Sequence, residues 1–537
     1  VNKDSKRQEG EIAMRNKKAA AILFSLLLML GTSQTAIWPK KAYGEQLPPL
    51  TVLLLYDSMA HGTEKAGNIE LLQRQLSSFG TEVTVLAEDY YSQGLLEQYD
   101  RVIMVKNAPE INQLNQSLSQ DMATFRGRLM QIGGGLSGPL LEELPVTIQA
   151  SSKKLNVQIG IGELWQEAAS VQQATFVHVK DAAASTLKKF GSLRPSDSDD
   201  EAMPFAVMNE TAAYVPLYMK GNLSELAMLY VLKDWFGDDG GGGMYLLIKE
   251  IYPFSDLKLL AEMADRLYNA GIPFIASVRP VFDNLDYPAM IRYLETIKYI
   301  QSRNGSIVVN APVVASTIGQ REHTLNLKMD SFINALGDYG IAPLGMGAEM
   351  YWSYDTEYTA DGMSFFDSVI LFPNQLIMHR SQSNVSQPFA SALYSVQPDE
   401  IDDYTRSLKN WRTFPVDIAL TLDFPQNEEQ LLAMVDNVLD RWLVFSDYKL
   451  ERHEVKSTKH IMTSGNGLLL NGKQLNFNDA VLMVDSEFQY VDKGVISFSK
   501  LFSIQNKIFI VIIIFALLFF GILFMAGYRL YKRKYLK

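Results

Sequence analysis

The chain has no cysteine among its 537 residues. That excludes a disulfide framework, a thiolate zinc site and a cysteine nucleophile. Histidine is scarce as well: the six are His61, His178, His323, His379, His453 and His460, and no two share a short metal-ligand spacing. Positive charge is in deficit, with 49 Lys and Arg against 60 Asp and Glu and a net charge of −11. That balance argues against a nucleic-acid partner, which would demand a basic surface. Without disulfides the chain must rest on hydrophobic cores, and it is long enough to build two or three. This composition suits a bacterial surface protein better than a eukaryotic receptor.

What is present begins at the two ends. Arg15, Lys17 and Lys18 precede the apolar run from Ala19 to Leu30, with small residues at Ala42-Tyr43-Gly44. A basic start, a short apolar core and a small-residue site read as a secretory signal over residues 1–44. Residues 508–527 are almost purely apolar and match one bilayer crossing of roughly 20 residues. Arg529, Lys532, Arg533, Lys534 and Lys537 follow in a basic tail, residues 528–537. By the positive-inside rule the tail is cytoplasmic and everything before the span is extracellular. The expected location is therefore the cell membrane, crossed once.

Between the ends, residues 45–145 alternate short apolar runs with helical patterns. Thr51–Tyr56, Thr81–Leu86 and Arg101–Val105 read as strands, with a helix holding Ile69, Leu72 and Leu76. That is the pattern of a doubly wound α/β domain. It resembles flavodoxin-like or glutamine-amidotransferase-like folds, although the amidotransferase cysteine is missing. Gly133-Gly134-Gly135 reads as a tight turn at a strand end, with a phosphate-cradling role as the alternative. Asp57-Ser58 lacks the flanking glycines of a nucleophile elbow and reads as a turn. Residues 146–236 read as a β-rich insert; Leu193 to Glu201 is expected as an exposed loop, and Ser224 to Phe236 as a helix capped by Ser224. Residues 237–243 are a glycine linker, and residues 244–448 resume the βα pattern of an incomplete βα barrel. Residues 449–505 read as a small β element, with hairpin signals at Gly465-Asn466-Gly467 and Asn471-Gly472.

The barrel opens on Met244-Tyr245-Leu246-Leu247-Ile248, then Lys249-Glu250, Pro253-Phe254-Ser255-Asp256, a helix, and Gly271-Ile272-Pro273-Phe274. Ser255 or Asp256 can cap that helix, and Leu259, Leu260, Met263, Leu267 and Tyr268 make its apolar face. This arrangement resembles the opening of a polysaccharide-deacetylase-like (NodB-related) barrel. It looks most like the YdaL-type branch of membrane-anchored bacterial proteins linked to exopolysaccharide production. The resemblance covers about Met244 to Arg441 and is strongest from Leu247 to Pro280. In that family one aspartate of an Asp-Asp pair and the two histidines of a His-x-x-x-His motif hold a divalent metal that polarises the acetyl carbonyl and activates water, and the other aspartate acts as base.

The resemblance places the Asp-Asp pair on Lys249-Glu250 and the histidines on Asn310 and Val314. Valine coordinates nothing, and a lysine adds positive charge where a cation would bind. A later family histidine falls near Asp423, again without histidine. The substrate-groove motif falls on the stretch holding Glu349, Tyr351 and Trp352, whose aromatics are candidates for stacking on sugar rings. The expectation is a non-catalytic barrel with no metal and no cofactor. Its implied partners are the cell membrane, a polysaccharide and an export or synthase complex. The competing reading is a carbohydrate hydrolase or esterase using Glu250, Asp283, Glu349 or Asp423, because glycoside cleavage needs only two acids at the right separation. A third is an extracellular assembly module without sugar contact. Asp355 also stands near a predicted strand end.

Overall fold

Five apolar runs build the first sheet: β1 (Thr51–Tyr56), β2 (Glu82–Ala87), β3 (Arg101–Val105), β4 (Arg128–Ile132) and β5 (Ala212–Val215). The computed structural model describes residues 48–535 except 109–114, 137, 173, 181–185, 198–200, 239, 313–323, 375–383, 401–413, 442, 466 and 477–497. The expected signal region, Val314, His323 and His379 therefore lie outside the described residues. The five strands are parallel in the order 2-1-3-4-5. Both faces of this sheet are covered, which is why β1 reads as an unbroken apolar run rather than an alternating one.

Antiparallel segments extend the sheet on both sides. Ala206–Met208 and Lys188–Phe190 follow β5, and Asn384–Val385 pairs with the outer edge of β2. Residues between β4 and β5 also form two small antiparallel sheets, one of them pairing Val146–Ala150 with Thr175–Val179. The loop expected from Leu193 to Glu201 is corrected at its start: Ser192–Pro195 is a strand paired with Val157–Gly160. Leu193 drives this, since it is buried in the core despite its polar neighbours.

The second sheet closes on itself. Its strands are β6 (Met244–Ile251), β7 (Phe274–Val278), β8 (Gly305–Asn310), β9 (Pro343–Glu349), β10 (Ser368–Phe372), β11 (Ser391–Val396) and β12 (Ile418–Asp423). All neighbours are parallel, and β12 pairs with β6 to complete a seven-stranded barrel. The barrel falls short of the eight strands of the common (β/α)8 form, yet the sheet has no open edge. Two of its strands escape sequence reading: β9 carries Gly345 and Gly347, which dilute its apolar run, and β11 holds two serines. The glycines are there for space. A Cβ on Gly347 would lie 2.9 Å from the Phe372 ring, and one on Gly345 2.8 Å from the Ser368 carbonyl.

Helices fill the outer layer: α1 (Asn68–Ser77), α2 (Ser224–Phe236), α3 (Leu257–Asn269), α4 (Pro288–Ser302), α5 (Thr324–Asp338) and α6 (Glu428–Asp440). Asp256 caps α3, its carboxylate accepting from the amides of Lys258 and Leu259. Tyr268 is corrected from core to surface; it is exposed, with the Arg303 guanidinium over its ring. Ser224 does not cap α2. It is the first helical residue, and its hydroxyl is bonded to both backbone groups of Met219.

Among the described residues no helix joins β10 to β11. Helix α1 lies against β11 instead. Arg74 donates to the Ser395 carbonyl at 3.0 Å and to the Tyr394 hydroxyl at 2.5 Å, with its guanidinium over the Tyr394 ring. The chain between β10 and β11 returns the exchange by pairing Asn384–Val385 with β2, fixed by Ser386 bonding both backbone groups of Val83. Sheet and barrel thus belong to one compact unit. Helix α7 (Phe498–Tyr535) belongs to a second unit and contains a 28-residue stretch, Lys507–Lys534, long and apolar enough to cross a membrane.

At the end of the barrel where the strands begin, His453 is buried beside Ser368. Its Nε2 donates to the Tyr448 carbonyl at 2.9 Å and its Nδ1 meets the Ser368 hydroxyl at 2.8 Å. Burial pushes its pKa down from 6.5 to about 4. A folded pKa below the unfolded one means stability is intact above pH 6.5 and is lost as pH falls through 6.5 toward 4. The loss should reach about 3 kcal/mol. Comparing urea midpoints of wild type and His453→Gln across this range checks it; parallel pH profiles would contradict the assignment.

Candidate functional site

The carboxyl ends of the barrel strands hold the residues that the sequence singles out. Lys249 and Glu250 fall in a bulge of β6: pairing with β7 steps from Ile248–Ala276 to Ile251–Val278, skipping both. Glu250 takes a left-handed conformation at φ 64°. For a residue with a Cβ this costs on the order of 1–3 kcal/mol and clusters at functional positions. On its other side β6 keeps register, with Lys249 opposite Asp423. The bulge therefore turns the Lys249-Glu250 pair without opening the barrel.

Charge dominates this end of the barrel. The Lys249 ammonium stands 3.3 Å from the Asp423 carboxylate and 6.0 Å from the centre of the Phe372 ring on β10. Arg279, directly after β7, sits 3.9 Å from Glu250 and donates to the Ala311 carbonyl after β8. The Tyr293 hydroxyl holds the backbone below by donating to the Ile251 and Arg279 carbonyls. Arg279 thus spans β6 to β8 across the end of β7. Asn310 ends β8 and is buried.

Glu349 ends β9 beside Phe372. After it, Met350–Tyr354 forms a short helical turn. Tyr351 is half-buried, and its hydroxyl accepts from the Trp352 indole at 3.1 Å. Burial, then the Glu349 charge, raises its pKa. Trp352 is fully buried and stacked on Tyr358, with ring centroids 4.4 Å apart. The expectation that Trp352 offers its face to a sugar is corrected: its indole is core. Asp355 is a cap, accepting from the amides of Glu357 and Tyr358. Asp283 is exposed and paired with Lys328 at 3.5 Å.

The structure thus brings Lys249, Glu250, Asn310, Glu349 and Asp423 to one end of the barrel. Arg279 and Phe372 join them at this end and were missed by sequence reading. Their only signal was position, each standing at the last residue of a strand or just after it. The described histidines lie elsewhere: besides His453, His178 is exposed and bonded to Gln149, His460 is bonded to Asp338, and His61 is exposed. Among the described residues no group of three or more His, Asp or Glu is placed to share a metal ion. The donors at this end do not fit a divalent cation, because an ammonium and a guanidinium flank the two carboxylates that would bind it.

No family model matches the chain. Over 89 residues, 15% of this chain and 15% of the relative, it is 36% identical to the uncharacterized protein YdaL of Bacillus subtilis (strain 168). The match therefore spans a small part of either protein. A solved peptidoglycan N-acetylglucosamine deacetylase is similar with a TM-score of 0.24 and 10% identity, covering 37% of this chain and 81% of that one. A truncated 3-deoxy-D-arabino-heptulosonate 7-phosphate synthase from Thermotoga maritima gives a TM-score of 0.20 and 13% identity, covering 38% and 88%. Both likenesses are distant.

Proposed function

We propose that the chain is a membrane-anchored cell-envelope protein whose barrel binds an acidic stretch of polysaccharide without hydrolysing it, in exopolysaccharide or envelope-glycan production. The observation that carries this reading is the Lys249 ammonium between Asp423 and the Phe372 ring. With Arg279 it makes a pair of cations at the site where barrel proteins bind their ligands. Such a pair suits the carboxylates of acidic sugars, which Arg binds through a planar fork and Lys as a point charge. Half-buried Tyr351 beside Glu349 supplies an aromatic edge. In this reading the ectodomain is extracellular, α7 spans the membrane, and its basic end is cytoplasmic; an export or synthase complex is the partner.

Titration of the full-length protein in detergent with a polyuronate and with a polymer of amino sugars tests the reading. Binding to the polyuronate should weaken about tenfold or more when Lys249 and Arg279 are both replaced by alanine, equivalent to ~1.4 kcal/mol or more. Acetylated amino-sugar oligomers should yield no acetate above background with or without divalent metal. Metal-dependent acetate release would sink the proposal. Metal-independent chain cleavage would favour the carboxylate hydrolase instead.

A further inference from the structure

The carboxyl edge of the first sheet carries a second candidate site, independent of the barrel. In an open parallel sheet, ligands sit where the strand order reverses. With the order 2-1-3-4-5 that place lies between β1 and β3. A solvent-open cleft of about 150 Å³ stands there, lined by Lys65 after β1, Asn107 after β3, Gly134 and Gly135 after β4, and Leu217 after β5, with Gln172 across it. The Glu64 carboxylate is engaged with that far wall, accepting from the Gln172 amide at 3.1 Å.

The glycine loop has an unusual hydrogen-bond arrangement. Buried Gln131 donates to the carbonyls of Gly133 and Gly135 at 3.1 and 2.8 Å, and the Tyr214 hydroxyl donates to the carbonyl of Gly134. Three successive carbonyls are thereby tied to side chains of the sheet. The Gly133 amide donates to the Val215 carbonyl, whereas the amides of Gly134 and Gly135 donate to no described residue. Gly133 and Gly134 both hold positive φ, at 75° and 61°, and a Cβ on Gly133 would lie 2.5 Å from the Lys106 carbonyl. The backbone is thus held in a form that a side chain would forbid. It presents two adjacent N–H groups at a cleft that Lys65 also lines. Successive amides in a concave turn bind anions.

We propose that the Gly134 and Gly135 amides, with Lys65, bind the phosphate group of a small molecule in this cleft. Calorimetric titration of the full-length protein in detergent with pyrophosphate, and separately with malonate, tests it. Pyrophosphate should bind and malonate should not. A Cβ on Gly135 would meet nothing within 4 Å, so Gly135→Asp should fold normally and place a carboxylate against the anion. Affinity should fall at least tenfold (roughly 1.4 kcal/mol) in Gly135→Asp and fall also in Lys65→Gln, with thermal unfolding unchanged in both. No pyrophosphate binding, equal binding of malonate, or unaltered affinity in folded Gly135→Asp would each overturn the proposal.

Discussion

Trp352→Ala should lower the unfolding free energy by about 3–5 kcal/mol, the loss typical of a large aromatic removed from a packed core. The indole has no solvent face, stacks on Tyr358 and donates to the Tyr351 hydroxyl. A Cβ on Gly362 would come within 2.7 Å of the ring, so the chain around it is shaped to the indole. Little can collapse into the space left behind, because Gly362 belongs to a helical turn of its own. Trp352→Phe should recover much of the loss, and any glycan affinity should follow the folded fraction rather than the ring. Urea denaturation of both variants gives the answer. A Trp352→Ala protein of wild-type stability that has lost glycan binding would restore the indole as a contact surface.

Lys106→Met should cost a similar amount, about 3–5 kcal/mol at neutral pH, by stranding a buried charge. The Lys106 ammonium lies 2.5 Å from the Glu88 carboxylate, with both side chains buried. Burial already raises the Glu88 pKa, although the hydrogen bond and charge of Lys106 pull it down. Without the lysine it must rise further. A folded carboxyl pKa above the unfolded value means the stability is fully present below the unfolded pKa and is lost as pH rises through the folded one. The variant should therefore be close to wild type near pH 4 and fall behind it as pH rises toward 8. Replacing both partners, Lys106→Met with Glu88→Leu, should return most of the stability, since a buried pair exchanged for apolar groups is often neutral. A pH-independent deficit would show that Lys106 acts through packing alone.

The legible part of this chain was whatever a local apolar run encodes. Phe274–Val278 and Ser368–Phe372 stand where their residues suggest, because each is a short run of mostly apolar residues, all buried. Pro343–Glu349 was illegible as a strand because its glycines answer to Phe372 and Ser368, residues far along the chain. The same limit applies at the site. Lys249, Glu250 and Asp423 could be found from strand ends, whereas the reach of Arg279 across β7 depends on the bulge that lifts Glu250. An aromatic cluster such as Tyr351-Trp352 reads alike for core and for surface, and only the packed neighbours Tyr358 and Gly362 decide between them.

The strand at Asn384–Val385 has a consequence for synthesis. The outer edge of β2 leaves the ribosome complete, yet the segment that covers it lies about 300 residues further on, some 15–60 s later at ordinary elongation rates. Throughout that interval an apolar parallel sheet presents a bare edge, the usual starting point for pairing between chains. An edge made early is thus sealed late. Crowded nascent chains, or a ribosome stalled before Asn384, would meet the greatest hazard of aggregation.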